Sequence, residues 1–225
     1  MANDITPYAA FGSDRNELRQ ENMGQDASLS FGDIEDIEVP TGGDTTFVIP
    51  SAKGDTRLDT IKGVIIAQHD KRAKYDTEYD PANESAPACY STDGYIGVGD
   101  PGGQCSECPD SKWDAEKGGY KCGSKKVLYF VPEGRLLPLR LELKSAALGR
   151  SQDRKIGNNY KTYMKQLFEE GVPYYAVVSA ATARKDKSVN GRPCTRVDWT
   201  MVETIPAEYL PGVKAYSDNM KALLN

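Results

Sequence analysis

Between residues 80 and 123 the chain holds four cysteines and two Pro-Gly-rich patches but almost no aliphatic side chains. Such a segment cannot bury enough apolar surface to fold on a hydrophobic core of its own, so it needs another kind of staple. Cys89, Cys105, Cys108 and Cys122 follow the pattern C-x15-C-x2-C-x13-C. The close pair Cys105 and Cys108 lets two thiolates reach one ion, and the outer two return after loops of similar length, as a closed tetrahedral site requires. Glycines crowd the ligands (Gly94, Gly97, Gly99, Gly102, Gly103, Gly118, Gly119, Gly123), which suits tight backbone wrapping. The spacing predicts a structural Zn²⁺ held by four thiolates. The alternatives are reduced unpaired thiols, disulfides, or an iron–sulfur cluster, whose ferredoxin spacings this pattern does not match. A catalytic metal is not expected, because all four ligands are spent and no His-x-Glu stands beside them. Cys194, far from the cluster in sequence, reads as a small buried hydrophobe.

The 225 residues, 39% hydrophobic and 27% charged, allow one large domain or two small ones. The longest apolar runs, such as Val64 to Ala67, fall far short of the ~20 residues a membrane span needs. No basic stretch followed by an apolar one opens the chain, so no signal peptide is expected. With five cysteines, that predicts a reducing, cytoplasmic compartment. The single histidine, His69, excludes sites that need two, and reads as incidental. The carboxylates of the body lack a recognisable metal-nuclease spacing, and a non-enzyme is expected. Residues 1–45 carry ten acids and two bases, a charge of −8, which leaves +3 on the remainder of a chain whose net charge is −5. An acidic arm on a mildly basic body can compete with nucleic acid for that body or recruit partners, or can simply be a solvated leader.

Residues 1–45 read as a mostly irregular arm with a short helix over 14–22. Strands are expected at 46–49, 59–68, 126–131, 137–143, 174–185 and 195–204. In 137–143 the residues Leu137, Leu139, Leu141 and Leu143 alternate onto one face. A turn is expected at 132–135 and an Asn-Gly turn at 190–191. A helix starting from an Asn158 or Asn159 cap carries Tyr160, Tyr163, Met164, Leu167 and Phe168 at helical spacing and stops at Gly171. A terminal helix over 206–224 is interrupted or restarted near Pro211-Gly212. The expected class is mainly β with α (α+β): an OB-like five-stranded barrel over 46–205, a zinc-stapled insert at 86–123 and a C-terminal helix at 206–225.

The stretch from Pro87 through Cys89 to Gly94, then Gly102-Gly-Gln-Cys105-Ser-Glu-Cys108-Pro109, Trp113 and Lys121-Cys122, resembles a family of tailed-phage proteins. So do Leu128-Tyr129, Pro132-Glu133-Gly134 and the Leu-rich strand after them, and the likeness covers about residues 60–205. The resemblance implies a zinc-containing single-stranded DNA-binding protein of phage replication or recombination, with an OB-fold and the zinc module as a structural insert. Many single-stranded DNA-binding proteins end in an acidic tail; here the C-terminus is not acidic and the acidic arm is N-terminal.

Binding a single strand without reading its sequence needs cations for phosphates and flat aromatic faces for bases. Candidate contacts are Lys71, Arg72, Lys74 and Tyr75 after the first long strand, Trp113 and Tyr120 in the insert, and Arg140 on the Leu-rich strand. Arg184, Lys185, Lys187, Arg192 and Arg196 line the last hairpin, and Arg150, Arg154, Lys155 and Lys161 surround the helix start. Against each stands the solvated-surface reading. Trp199, on an alternating strand, reads as core, whereas Trp113 is the better stacking candidate or a cover for the zinc site. The competing class is a zinc-stapled adaptor that docks replication or host machinery through the acidic arm.

Overall fold

A computed structural model describes residues 8, 11, 17, 21–22, 34–51, 53–77, 86–115, 119–148, 158–187 and 191–224. In chain order the strands are β1 (Asp36–Ile37), β2 (Phe47–Ile49), β3 (Thr56–Leu58), β4 (Thr60–Lys74), β5 (Cys89–Ser91), β6 (Ile96–Gly99) and β7 (Gly103–Gln104). Then come β8 (Trp113–Asp114), β9 (Gly119–Tyr120), β10 (Cys122–Pro132), β11 (Leu139–Leu143), the short helix α1 (Ser145–Leu148) and α2 (Tyr160–Glu169). The chain closes with β12 (Val177–Lys187), β13 (Pro193–Thr204) and α3 (Leu210–Leu224). The class is α+β, mainly β. The chain forms two compact units: one of 1–68, 128–142 and 146–225, the other of 69–127 with 143–145. β4 and β10 run from one into the other.

In the first unit the strand order is β13-β12-β4-β10-β11-β1. β4 is central because its apolar run leaves no polar face: Val64, Ile65, Ile66 and Ala67 are all fully buried. Its first residues pair antiparallel with β12, from Thr60 opposite Thr182 to Gly63 opposite Ser179. β12 and β13 form the long hairpin expected from the sequence, with a bulge between Val178 and Ser179. β11 alternates as expected, Leu139 and Leu141 buried and Arg140 half-buried, but Leu137 lies before the strand and is exposed.

Among the described residues β11 and β13 are not paired with each other, so the sheet is not closed into a barrel. The segment 35–49 bridges that seam. β1 lies parallel along β11, Asp36 opposite Arg140, and the Arg140 guanidinium forks onto the Asp36 carboxylate, with Nη2 2.6 Å from Oδ2. A few residues later the Gly43 N–H donates to Thr195 Oγ1 on β13 at 3.1 Å, and that hydroxyl donates to Asp44 O at 2.7 Å. The end of the arm thus pairs the backbone of the β11 edge, which would otherwise stand open, and is tied to β13 through the Thr195 hydroxyl.

α2 begins where Asn159 Oδ1 accepts from Thr162 N at 3.1 Å, and it is followed by Gly171 in the left-handed region (φ 70°). Its buried face presents Tyr160, Tyr163 and Leu167. The Tyr160 ring stands edge-on to Trp199 at 5.2 Å, and the Tyr163 ring stacks on Trp199 at 6.2 Å. Trp199 is fully buried, as its alternating strand implies. Asn158 brackets the same residue: its carbonyl accepts from Trp199 N at 2.7 Å, and its Nδ2 donates to Trp199 O at 2.8 Å.

The terminal helix is continuous rather than broken at Pro211-Gly212. Pro211 falls in the first turn, where its missing N–H costs nothing. Gly212 is held small by the arm: a Cβ there would lie 2.4 Å from Phe11 O. Phe11 packs edge-on against Tyr216, and Tyr8 lies tilted against Tyr209. Ser217 Oγ donates to Ile66 O at 2.6 Å, tying α3 to β4. Of the helix expected over 14–22, positions 17, 21 and 22 are described and are helical; the rest lies outside the described residues.

Gly63 is a sharp test of β4's central place, because a Cβ there would sit 2.2 Å from Val131 O and 2.8 Å from the Phe130 ring. Gly63→Ala is expected to lose about 3 kcal/mol in denaturant unfolding; an unchanged midpoint would contradict this packing.

Candidate metal centre and nucleic-acid interface

The second unit is built on the far half of β4, whose Lys74 pairs with Cys89 of β5, which in turn pairs with Gly99 of β6. β6 pairs with β7, Gly97 opposite Gly103. A Cβ on Gly97 would lie 3.0 Å from Cys89 Sγ, so the backbone passes close to that thiol. Cys105 follows β7 and donates its N–H to Tyr95 O at 2.8 Å; Cys108 N donates to Gln104 O at 3.2 Å. The Ser111 hydroxyl lies 2.6 Å from Cys105 O and 2.8 Å from Cys108 O, drawing the turn between the two cysteines together. Cys122 opens β10. Cys105 and Cys122 are buried, Cys89 and Cys108 half-buried, and all are free thiols.

Burial pushes the Cys122 thiol above its ordinary range; Arg72 opposes this, and Cys105, Cys108 and Cys89 reinforce it. The other three cysteines thus bear on the charge of Cys122, but among the described residues no three His, Cys, Asp or Glu side chains are set at ligand spacing. Four soft thiolates on a glycine-lined fold fit Zn²⁺ better than an oxygen-seeking cation.

The cations expected to meet nucleic acid are divided by the strand's own alternation. Arg72, opposite Ser91, and Lys74, opposite Cys89, share the cysteine face. Lys74 is spent on Asp110 at 3.1 Å and Asp76 at 3.5 Å. Lys71 belongs to the other face, and Tyr75, just past the end of β4, is 48% exposed. Trp113 and Tyr120 are cross-strand partners on the β8–β9 ribbon, their rings edge-to-face at 5.4 Å and both exposed.

In the first unit three arginines are engaged with carboxylates. Arg140 is held by Asp36; Arg184 Nε donates to Asp198 Oδ2 at 2.6 Å; and Arg196 Nε donates to Asp186 Oδ2 at 2.9 Å. Lys185, Lys187 and Arg192 are exposed on the β12–β13 hairpin. Lys161 is exposed on α2, while Arg150, Arg154 and Lys155 lie outside the described residues. Sequence reasoning passed over Tyr90, Ile96 and Val98, which are about half exposed. The signal that finds them is the period-2 alternation of β5 and β6, too short to stand out among glycines. Among the described residues no helix is long and apolar enough to cross a membrane.

Comparison with protein-family models, curated proteins and solved structures gave no match.

Asp110 offers a pH test. The hydrogen bond from Lys74 holds its carboxyl below 3.8, burial opposes this, and the charges of Lys74 and Lys121 add to it. A depressed carboxylate contributes stability that is full above 3.8 and is lost as pH falls through the lowered value. Asp110→Asn should therefore melt lower than the parent at neutral pH, and the gap should narrow on acidification; a gap independent of pH would refute the pairing.

Proposed function

We propose that this protein coats single-stranded DNA without sequence specificity, as a non-catalytic component of phage replication or recombination. The observation that carries the reading is the strand order. Counted as one to five, β4, β10, β11, β12 and β13 form a sheet in which strand one pairs with both two and four, and a helix lies between three and four. That order supports the OB-like reading, a five-stranded, partly open Greek-key barrel. Here the open seam lies between strands three and five and is bridged by segment 35–49. OB-folds bind oligonucleotides through the one–two and four–five connections. In this chain the first of those carries Cys89, Cys105, Cys108, Trp113 and Tyr120 and runs into Cys122 at the start of β10; the second carries Arg192 and follows Lys185 and Lys187 at the end of β12.

In this mechanism Lys185, Lys187, Arg192 and Lys71 pair with phosphates, while bases stack on Trp113 and Tyr120. Cys89, Cys105, Cys108 and Cys122 hold a structural Zn²⁺, which supplies the crosslink that the core-poor segment lacks. A second reading, the zinc-stapled adaptor, is favoured by the neutralisation of Arg140, Arg184 and Arg196 by carboxylates.

Trp199 is fully buried and Trp113 is 45% exposed, so a ligand that quenches fluorescence does so at Trp113. Oligo-dT is expected to quench it where duplex DNA does not, with a slope of log affinity against log salt of about −3 if about four phosphates are neutralised. Trp113→Ala should weaken oligo-dT binding about tenfold and leave the melting temperature near that of the parent. Indifference to nucleic acid in both fluorescence and gel-shift assays would favour the adaptor. Cys105→Ser should release zinc, measured by atomic absorption, and lower thermal stability; a parent protein without zinc would refute the metal assignment.

A further inference from the structure

The sheet of the second unit has two unlike faces. Register puts Arg72 with Ser91 and Lys74 with Cys89, so the even positions of this part of β4 share the cysteine side. The odd positions turn the other way. Ala73 stands opposite Tyr90, and Tyr90 opposite Val98, forming one row across three strands. Ile96 lies two residues from Val98 on the same side, and Lys71 and Tyr75 flank Ala73. On β10, Lys126 meets Asp70 at 2.8 Å on the cysteine side, which assigns Lys125 to the opposite one.

Among the described residues this second face is open. Tyr75, Tyr90, Ile96 and Val98 are 48, 46, 51 and 54% exposed. Four large apolar side chains gathered on one solvent-facing sheet signal a ligand rather than a core. The charge on the face identifies which kind. Its described strand positions include Lys71 and Lys125 and no carboxylate. Lysine is depleted from the centres of protein–protein interfaces, whereas phenol rings bordered by lysines on an open sheet are what unstacked bases with a phosphate backbone require.

We propose that this face is a base-stacking platform for a single strand, with Tyr90 and Tyr75 each receiving a nucleobase and Lys71 meeting the backbone. The proposal rests on the single-strand reading above and adds to it a contact surface separate from the Trp113–Tyr120 ribbon.

Photocrosslinking the intact protein to an iodouracil-substituted oligo-dT, with peptide mapping, tests it directly. Crosslinks are expected in the peptides bearing Tyr90 or Tyr75. Tyr90→Ala should weaken oligo-dT binding about tenfold without changing the salt slope, because it removes a ring and no charge. Tyr90→Phe should bind like the parent, and Lys71→Ala should flatten the slope by about 0.7. Crosslinks confined to other peptides, or a folded Tyr90→Ala with undiminished affinity, would overturn the platform while single-strand binding stands. That result would reassign the face to a protein partner. A parent protein that binds no oligo-dT overturns both readings. Should Tyr90→Ala fail to fold, the crosslink map of the parent decides alone.

Discussion

The pairing capacity of β4 underlies everything else in this chain. Its 15 residues serve β12 at one end and β5 at the other, with β10 alongside. An apolar run buried on both sides tolerates no slip, because displacement by one residue would turn the flanking polar positions inward. Once its register is set, the hairpin after α2 and the short ladders around the cysteines have fixed templates. The ladders of the second unit are two to four residues long, and such strands have little stability of their own. They borrow order from a strand already anchored by a core.

Charge is arranged less simply than composition suggests. The arm's acids are not merely solvated: Asp36 closes a two-pronged pair with Arg140, and Glu35 approaches Arg135 at 3.5 Å. Half-exposed pairs of this kind contribute little to stability, yet each removes a cation from the surface that a polyanion would see. The effective positive surface is therefore smaller than a count of arginines implies, and it is lysine-rich. Lysine meets phosphate as a mobile point charge rather than a fixed fork, which suits a ligand whose backbone has no fixed geometry.

Hydrophobic periodicity made the large elements legible: the buried run of β4, the alternation of β11, the tyrosine face of α2 and its Asn159 cap could all be read from residue order. What residue order did not reveal was pairing between distant segments. Asp36 and Thr195 are ordinary polar residues until their partners are known, so the bridged seam was invisible. Pro211-Gly212 looked like a break because the helix start was expected at 206 rather than at Leu210. The cluster Lys71 to Tyr75 looked like one basic patch because a linear reading does not weigh that neighbours in a strand face opposite ways. The cysteine spacing was the plainest motif in the residue order, but the described residues do not set three of those side chains at ligand spacing.

Tyr8 and Phe11 rest on Tyr209 and Tyr216, so residues near the two ends of the chain are neighbours in the folded first unit. A substitution at Tyr209 or Tyr216 would therefore be felt at both faces of one aromatic contact, loosening Tyr8 and Phe11 together with the start of α3.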